Sequence, residues 1–162
     1  MITTFDALIA EMAESLGFDK VLLQAFVCQE SGGDPWACRI EPGYLVNEVV
    51  KWARQWSQNH KGNPTVQTEL YLRSSSFGLL QIMGQVAREN GFTRRYLTEL
   101  FVPHENLGLG CRLLQKRQAK AANLDHLIWM WNAGMGSKPP SPDNAYVASV
   151  KRFMQETPYG TA

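Results

Sequence analysis

The sequence has few cysteines, no long apolar run and almost no net charge. Its three cysteines are an odd number without Cys-x-x-Cys spacing, which argues against a disulfide framework or a zinc site. No apolar run is long enough to cross a bilayer, so we expect a protein that is not inserted in a membrane. The formal net charge is +1, so the whole molecule should not attract nucleic acid. We therefore expect no metal or other cofactor and no nucleic-acid partner.

Positive charge is nevertheless clustered in two places. Arg94 and Arg95 are adjacent, and a second set recurs at helical spacing, namely Arg112, Lys116, Arg117 and Lys120. Such a ridge suits an anionic polymer, although it is more often a solvated helix face. The amino-terminal segment from Met1 to Leu8 lacks a basic stretch followed by an apolar run. This predicts synthesis in the cytoplasm without a Sec signal peptide.

Hydrophobic periodicity predicts a mostly α protein. A chain of 162 residues is one domain by size, which we place over 1–162. Patterns with alternating apolar residues, which are typical of strands, are nearly absent. Helical periodicity and capping residues predict helices over 4–16, 19–31, 45–56, 66–72, 79–90, 103–122, 123–134 and 143–155.

The segment Asp19–Ser31 is the most informative of these helices. Asp19 can cap its first turn, and Gly32 can end it because glycine readily adopts the left-handed conformation. Glu30 follows Phe26 by four residues, so its carboxylate falls on the apolar stripe. Poor solvation there should raise the pKa of the Glu30 carboxyl above its ordinary value of about 4.3, as a general acid requires. The alternative is a helix-end glutamate whose carboxylate reaches water.

Four short segments in a fixed order carry a family resemblance. They are Glu30-Ser31; Gly78-Leu79-Leu80-Gln81-Ile82-Met83; Asn106 with Gly110; and Trp131-Asn132-Ala133-Gly134 followed by Tyr146. Together they resemble the soluble lytic transglycosylase (SLT) catalytic domain family, which is related in fold to goose-type lysozyme. The resemblance covers roughly residues 5–153, except 40–72.

The resemblance implies a lysozyme-like helical domain that cleaves the glycan strand of peptidoglycan. It identifies Glu30 as the one catalytic acid and base, which forms a 1,6-anhydro-N-acetylmuramic acid end without water. The residues that it implies for substrate binding are Ser31, Ser76, Phe77, Gly78, Leu79, Gln81, Trp131, Asn132, Ala133 and Tyr146. The amides of Gln81 and Asn132 offer donors and acceptors to a neutral sugar. The aromatic rings of Trp36, Phe77 and Trp131 could stack on sugar faces.

Three positions depart from the family pattern. Trp131 stands where the family usually has tyrosine, and an indole N–H donates but does not accept. Pro142 occupies an acidic position ahead of Tyr146, where Asp143 could substitute with a one-residue shift. The tract Ser74-Ser75-Ser76 replaces the family's Gly-Ala-Ser segment, so the serine that faces substrate is not fixed by the sequence.

Two other functions compete with a transglycosylase. A hydrolytic muramidase would need a second carboxylate, for which Glu41, Glu69 and Asp143 are candidates. A wall-binding structural subunit of a phage tail or secretion apparatus would need no catalysis, and the intact Glu30 motif argues against it. The sequence suits a monomeric phage-type lysin or virion enzyme, which reaches the periplasm and cell wall through a holin or a tail. A bacterial enzyme that a specialised secretion machine exports is the alternative, and the sequence does not choose between them.

Residues 40–72 form a longer connection between the Glu30 and Gly78 segments than the family usually has. Its apolar residues recur at helical spacing and need a packing partner, so it is unlike a linker. They are Val46, Val49, Val50, Ala53 and Trp56. We expect an inserted lobe that extends the sugar-binding groove with polar side chains; padding of the core is the alternative.

Overall fold

The computed structural model describes residues 4–47 and 65–156, and this part of the chain is mostly helical, as predicted. The α-helices are α1 (Asp6–Ser15), α2 (Lys20–Ser31), α3 (Pro42–Asn47), α4 (Val66–Arg73), α5 (Gly84–Glu89), α6 (Pro103–Gln118), α7 (Leu124–Ala133) and α8 (Ala145–Glu156). A 3-10 helix spans Leu97–Phe101. The strands are β1 (Cys38–Ile40), β2 (Ser75–Phe77) and β3 (Ile82–Met83).

The chain divides into two compact units. Unit 1 comprises Met1–Gly33 and Gly110–Ala162, and unit 2 comprises Asp34–Leu109. Unit 1 is built on helices, whereas unit 2 contains the three strands and the shorter helices. Within the described ranges 4–47 and 65–156, no helix combines the length and the apolar character that crossing a membrane requires.

Unit 1 is organised around α2, which α1 and α8 both contact. Every residue from Leu22 to Cys28 is buried, as expected of a helix covered on most sides. Asp19 caps the helix by accepting from the Leu22 N–H at 3.0 Å, and Gly32 ends it with φ +63°. Burial of a side chain such as Leu23 or Phe26 stabilises the unit by about 1.5–3 kcal/mol each. These features fix the end of α2, where Glu30 lies.

Unit 2 contains a three-stranded antiparallel sheet in the order β1-β2-β3, which the sequence did not predict. Cys38 pairs with Phe77 and Ser76 pairs with Met83. Strands of two or three residues are too short to show an alternating pattern. The helix predicted over 79–90 is consequently wrong at its start, since residues 79–83 form a turn and β3, and α5 begins at Gly84.

A buried ion cluster of Glu69, Arg73 and Arg88 ties the helices of unit 2 together. The Glu69 carboxylate accepts from Arg73 Nε at 3.0 Å and from Arg88 Nε at 2.9 Å, and the three side chains are at most 5% exposed. Burial lowers the pKa of Arg73, an effect that Glu69 opposes. Arg73 also donates to Gln85 Oε1 at 2.9 Å. The cluster therefore links α4, which precedes β2, to α5, which follows β3.

Two further sequence predictions change with the structure. The helix predicted over 45–56 falls largely outside the described residues, and the described α3 begins earlier, at Pro42. Arg117 is not part of an exposed basic ridge, because it is buried while Arg112, Lys116 and Lys120 are exposed. Burial of its guanidinium lowers the pKa of Arg117.

Candidate active site

The candidate acid Glu30 lies in the last turn of α2 and is half-buried. It follows the fully buried Phe26 by one helical turn, so it leaves the apolar side of the helix at its very end. The Ser31 hydroxyl donates to the Val27 carbonyl and accepts from the Gly33 N–H, each at 3.2 Å. The helix therefore ends in a defined geometry, which fixes the backbone that carries the carboxylate.

Tyr146 is a hydrogen-bond partner of Glu30. Its hydroxyl donates to Glu30 Oε1 across 116 residues of sequence. Tyr146 lies in the first turn of α8, which contacts α2, and Asn144 Oδ1 caps this turn by accepting from the Val147 N–H at 3.0 Å. Asn144 therefore supplies the cap of this helix, and the neighbouring Asp143 is exposed. The structure assigns Asp143 no role in positioning the tyrosine.

The Tyr146 hydroxyl is held in its protonated form. Burial and the adjacent Glu30 carboxylate both raise the pKa of Tyr146 far above its ordinary value. A phenol that keeps its proton remains a donor, and a hydrogen bond donated to a carboxylate favours the ionised carboxylate. The Glu30 carboxylate therefore has a neighbour that donates to it and does not compete for its proton.

Trp131 packs near the same end of α2. Its ring centroid is 5.6 Å from that of Phe26, with an interplanar angle of 49°. The Arg117 guanidinium lies 4.9 Å from the Trp131 centroid and donates to the Met130 and Leu113 carbonyls. The buried arginine therefore supports the indole by a cation–π contact. Unit 1 thus brings Glu30, Trp131 and Tyr146 together.

Asn132 and Ala133 end α7 and are exposed. Gly134 follows with φ +92° and turns the chain away from the helix. Both residues lie next to the supported Trp131, and both remain candidates for contact with substrate.

The other candidate residues cluster in unit 2 at the turn between β2 and β3. Gly78 begins this turn with φ +69°. A Cβ atom at this position would lie 2.6 Å from the Leu100 carbonyl oxygen and 2.7 Å from Asn106 Nδ2. Glycine is required here for both its backbone conformation and its lack of a side chain.

Asn106 holds this turn in place. Its side chain is fully buried, donates to the Phe77 and Leu100 carbonyls at 2.8 and 2.9 Å, and accepts from the Leu80 N–H at 2.9 Å. The sequence drew attention to Asn106 through the family motif but gave it no role. The structure shows a positioning residue that satisfies three buried backbone groups of the turn region.

Gln81 ends the turn in a left-handed conformation that is uncommon outside glycine, with φ +46°. Its Nε2 donates to the Ala37 carbonyl at 2.9 Å and to the Gly78 carbonyl at 3.0 Å. Both amide hydrogens are thus directed to the backbone, so its oxygen is the atom that can face a sugar. The sequence predicted that the Gln81 amide could both donate to a sugar and accept from it; in the structure only its oxygen is left for the sugar.

Phe77 and Leu79 belong to the core of unit 2. Their side chains are 1% and 0% exposed, so the expectation that the Phe77 ring stacks on a sugar needs correction. The hydroxyls of Ser74 and Ser75 donate to the Leu70 and Tyr71 carbonyls at 3.0 and 2.8 Å. Ser76, in the middle of β2, is itself only 4% exposed, so its contact with substrate stays a prediction of the family resemblance.

The three carboxylates considered for a hydrolytic mechanism have other surroundings. Glu69 is the centre of the buried ion cluster. Glu41 pairs with Arg39 at 2.6 Å. Asp143 is exposed ahead of α8. Over residues 4–47 and 65–156, His, Cys, Asp and Glu side chains do not form a group of three or more that could hold a metal ion.

Comparison with known proteins identifies the family. The model of the Transglycosylase SLT domain family matches residues 7–149, which include every candidate site residue named above. No significant match was found among curated proteins or among solved structures. With the helical architecture and a match over most of its length, the chain belongs to the transglycosylase SLT domain family.

Proposed function

We propose that this protein is a peptidoglycan lytic transglycosylase that cleaves the bond between N-acetylmuramic acid and N-acetylglucosamine with Glu30 as its single acid and base. The observation that carries the proposal is the contact of Tyr146 with the Glu30 carboxylate at the end of α2. Membership of the SLT family supports the substrate class. The surroundings of Glu69, Glu41 and Asp143 support a mechanism that needs no second carboxylate.

In the first proposed step, protonated Glu30 gives its proton to the glycosidic oxygen. The bond from this oxygen to C1 of N-acetylmuramic acid breaks, and the leaving sugar departs as an alcohol. The acetamido oxygen of the same muramic acid supports the positive charge that develops at C1. Protonation is needed because an alkoxide is a poor leaving group, and a positioned acid typically contributes ~10²–10⁴ in rate.

In the second proposed step, ionised Glu30 takes the proton of the C6 hydroxyl of the same sugar. The C6 oxygen then bonds to C1, which closes the 1,6-anhydro ring and returns Glu30 to its protonated form. Tyr146 keeps its proton throughout, because burial and Glu30 raise its pKa. Its hydroxyl orients the carboxylate in both steps and stabilises the anion between them.

Each unit has its own candidate substrate contacts. In unit 1 they are Ser31, Trp131, Asn132, Ala133 and Tyr146. In unit 2 the turn held by Asn106 offers the backbone of Gly78 and the oxygen of Gln81, next to Ser76. Hydroxyl, amide and aromatic groups of this kind match a neutral, hydroxyl-rich and acetamido-bearing sugar.

Mass spectrometry of muropeptides released from sacculi tests the proposal. The wild-type protein should release fragments with 1,6-anhydro ends, which are lighter by one water than the products of hydrolysis. Glu30→Gln should fold with an unchanged melting curve and release almost none, because an amide cannot donate or recover the proton. Asp143→Asn is the matched control and should release the same anhydro fragments as the wild type.

Three results would contradict the proposal in different ways. Reducing ends that retain water would indicate a hydrolytic muramidase. Binding to sacculi without release of fragments would indicate a wall-binding structural subunit. More than a few per cent of the activity in a folded Glu30→Gln protein would show that another group is the acid.

The setting of the reaction is part of the same proposal. Peptidoglycan lies outside the cytoplasmic membrane, so an enzyme made in the cytoplasm has to be delivered to it. A phage-type lysin released by a holin, a virion tail or a specialised secretion apparatus would achieve this. Expression in a Gram-negative host should cause lysis only when a holin is co-expressed, and lysis without a holin would show that the protein crosses the membrane unaided.

A further inference from the structure

Trp36 is an exposed aromatic residue at the start of unit 2. Its side chain is 72% exposed, more than any other large apolar side chain that the structure describes. An exposed indole leaves a large apolar face in water, whereas tryptophan is usually highly buried on average. Such exposure is informative when the ring is also held in place, because a fixed apolar face is suited to contact with a partner.

The backbone and the ring of Trp36 each contact a neighbouring residue. The backbone N–H of Trp36 donates to Asp34 Oδ1 at 2.8 Å, which fixes the turn that carries the residue. Its ring centroid is 5.7 Å from that of Phe101, and Phe101 in turn meets Phe77 edge to face at 5.3 Å. The three rings run from the exposed Trp36 to the buried Phe77. The indole is therefore anchored to the core of unit 2 while its outer surface remains in solvent.

The same segment is bound to the turn between β2 and β3. The carbonyl of Ala37, the next residue, accepts from the Gly78 N–H at 2.8 Å and from Gln81 Nε2 at 2.9 Å. The backbone next to Trp36 is thus connected directly to the two turn residues proposed to meet the glycan. A ligand that reaches this turn has the exposed indole as its neighbour within unit 2.

We propose that Trp36 is a stacking subsite for one pyranose ring of the glycan strand; this rests on the proposed function. The axial C–H groups of a β-1,4-linked sugar make one face of its ring apolar and slightly positive. The π face of an indole is apolar and carries the negative end of the aromatic quadrupole. The amide oxygen of Gln81 and the backbone of Gly78 lie in the turn that is bound to Ala37, and they can bind the polar edge of the glycan strand.

Binding of chitohexaose, a β-1,4-linked hexamer of N-acetylglucosamine, to Glu30→Gln protein tests the subsite without turnover. Adding Trp36→Ala to this background should raise the dissociation constant about tenfold, because an aromatic stacking contact contributes about that factor to affinity. Trp36→Phe should stay within about threefold, because it keeps a ring of the same kind. Tyr71→Ala removes another exposed aromatic of unit 2 and should leave the constant unchanged.

Tryptophan fluorescence is a second measurement, and its emission on adding the hexamer should change only if the sugar binds at Trp36 or another tryptophan. The hexamer should shift the emission of the Glu30→Gln protein to shorter wavelength, and the Trp36→Phe addition should remove the part of this shift that Trp36 contributes, which leaves the part contributed by Trp131. Equal affinity with and without Trp36, or no measurable binding of the hexamer at all, would overturn the subsite. Melting curves of each variant show whether lost affinity reflects lost folding.

The subsite and the proposed function fail in distinguishable ways. If the hexamer binds through Trp36 but wild-type protein releases no muropeptides from sacculi, the reaction is wrong and the subsite stands. If wild-type protein releases anhydro fragments while hexamer binding ignores Trp36, the subsite is wrong and the reaction stands. Binding of an unrelated protein at Trp36 in place of the sugar would likewise appear as hexamer affinity that is independent of this residue.

Discussion

Substitution Tyr146→Phe removes one hydroxyl and keeps the ring that packs at the start of α8. The lost group is the donor to Glu30 Oε1. Because burial and Glu30 keep the pKa of Tyr146 far above its ordinary value, this hydroxyl donates at every pH at which the enzyme would be assayed. The substitution therefore changes the surroundings of the Glu30 carboxylate without adding charge or bulk.

The hydrogen bond between the Tyr146 hydroxyl and the Glu30 carboxylate determines how much stability and activity the substitution should remove. A hydrogen bond to a charged group contributes about 1.5–3 kcal/mol, and the lower end applies because the half-buried Glu30 can take up water instead. A loss of ~1.5 kcal/mol lowers the melting temperature by roughly 3–6 °C in a domain of this size. If the bond is needed in the transition state, kcat/KM falls roughly 10- to 150-fold.

The pH dependence gives the direction of the effect on catalysis. A donated hydrogen bond favours the ionised carboxylate, so its removal favours the protonated one. The basic limb of the pH–rate profile, where Glu30 loses the proton it must donate, should move to higher pH in Tyr146→Phe. Release of soluble fragments from sacculi between pH 4 and 9 measures this limb, with Tyr71→Phe as the control for loss of an exposed hydroxyl. An unchanged rate and an unmoved basic limb would refute the claim that Tyr146 acts through Glu30.

Two further predictions concern stability. Glu69→Gln removes the carboxylate that pairs with Arg73 and Arg88, so it should lower the free energy of unfolding by about 3–5 kcal/mol in thermal or urea unfolding. Asp125→Asn breaks an exposed pair with Lys151 and should lower it by under about 1 kcal/mol. Equal losses in the two variants would contradict the role of the cluster. Burial, which Arg112 partly opposes, raises the pKa of Cys111 from 9.0 to about 11, so this thiol supports the fold below pH 9 and loses up to about 3 kcal/mol of that support as the pH rises toward 11. Urea unfolding at pH 8 and 10.5 should therefore show a smaller alkaline loss in Cys111→Ala, and equal losses would contradict the shift.

The sequence predicted the elements whose signals are local. Asp19, the apolar run from Leu22 and Gly32 lie within one short segment, and they define α2 almost to the residue. The first helix and the helices that carry Trp131 and Tyr146 were likewise predicted from periodicity and caps. The apolar stripe of α2 drew attention to Glu30 but left a helix-end glutamate as the alternative, and the family motif gave Glu30 a catalytic role and added the segment from Gly78 to the candidate site.

The contacts missed by the sequence join residues that are far apart along the chain. The bond from Tyr146 to Glu30 spans 116 residues, and the bonds from Asn106 to Phe77 and Leu80 span 29 and 26. Periodicity carries no information about such pairs. One local signal was available for Asn106, since an amide among the apolar residues of α6 needs buried partners. The three-stranded sheet had no such signal, because its strands are too short for a period.

The described ends of the stretch 40–72 limit which residues can be replaced in order to test the predicted lobe. β1 pairs with β2 ahead of it, and α4 supplies Glu69 and Arg73 to the buried ion cluster behind it. Replacing residues 44–70 would remove Glu69 and should unfold unit 2, so that change tests stability and not the lobe. The segment 48–64 lies outside the described residues, and the lobe remains a prediction from its apolar stripe and polar side chains.

Replacing only 48–64 with a Gly/Ser linker should lower activity on intact sacculi more than the melting temperature, if the lobe extends the groove. Full activity of this folded variant would show that the lobe has no part in binding the strand.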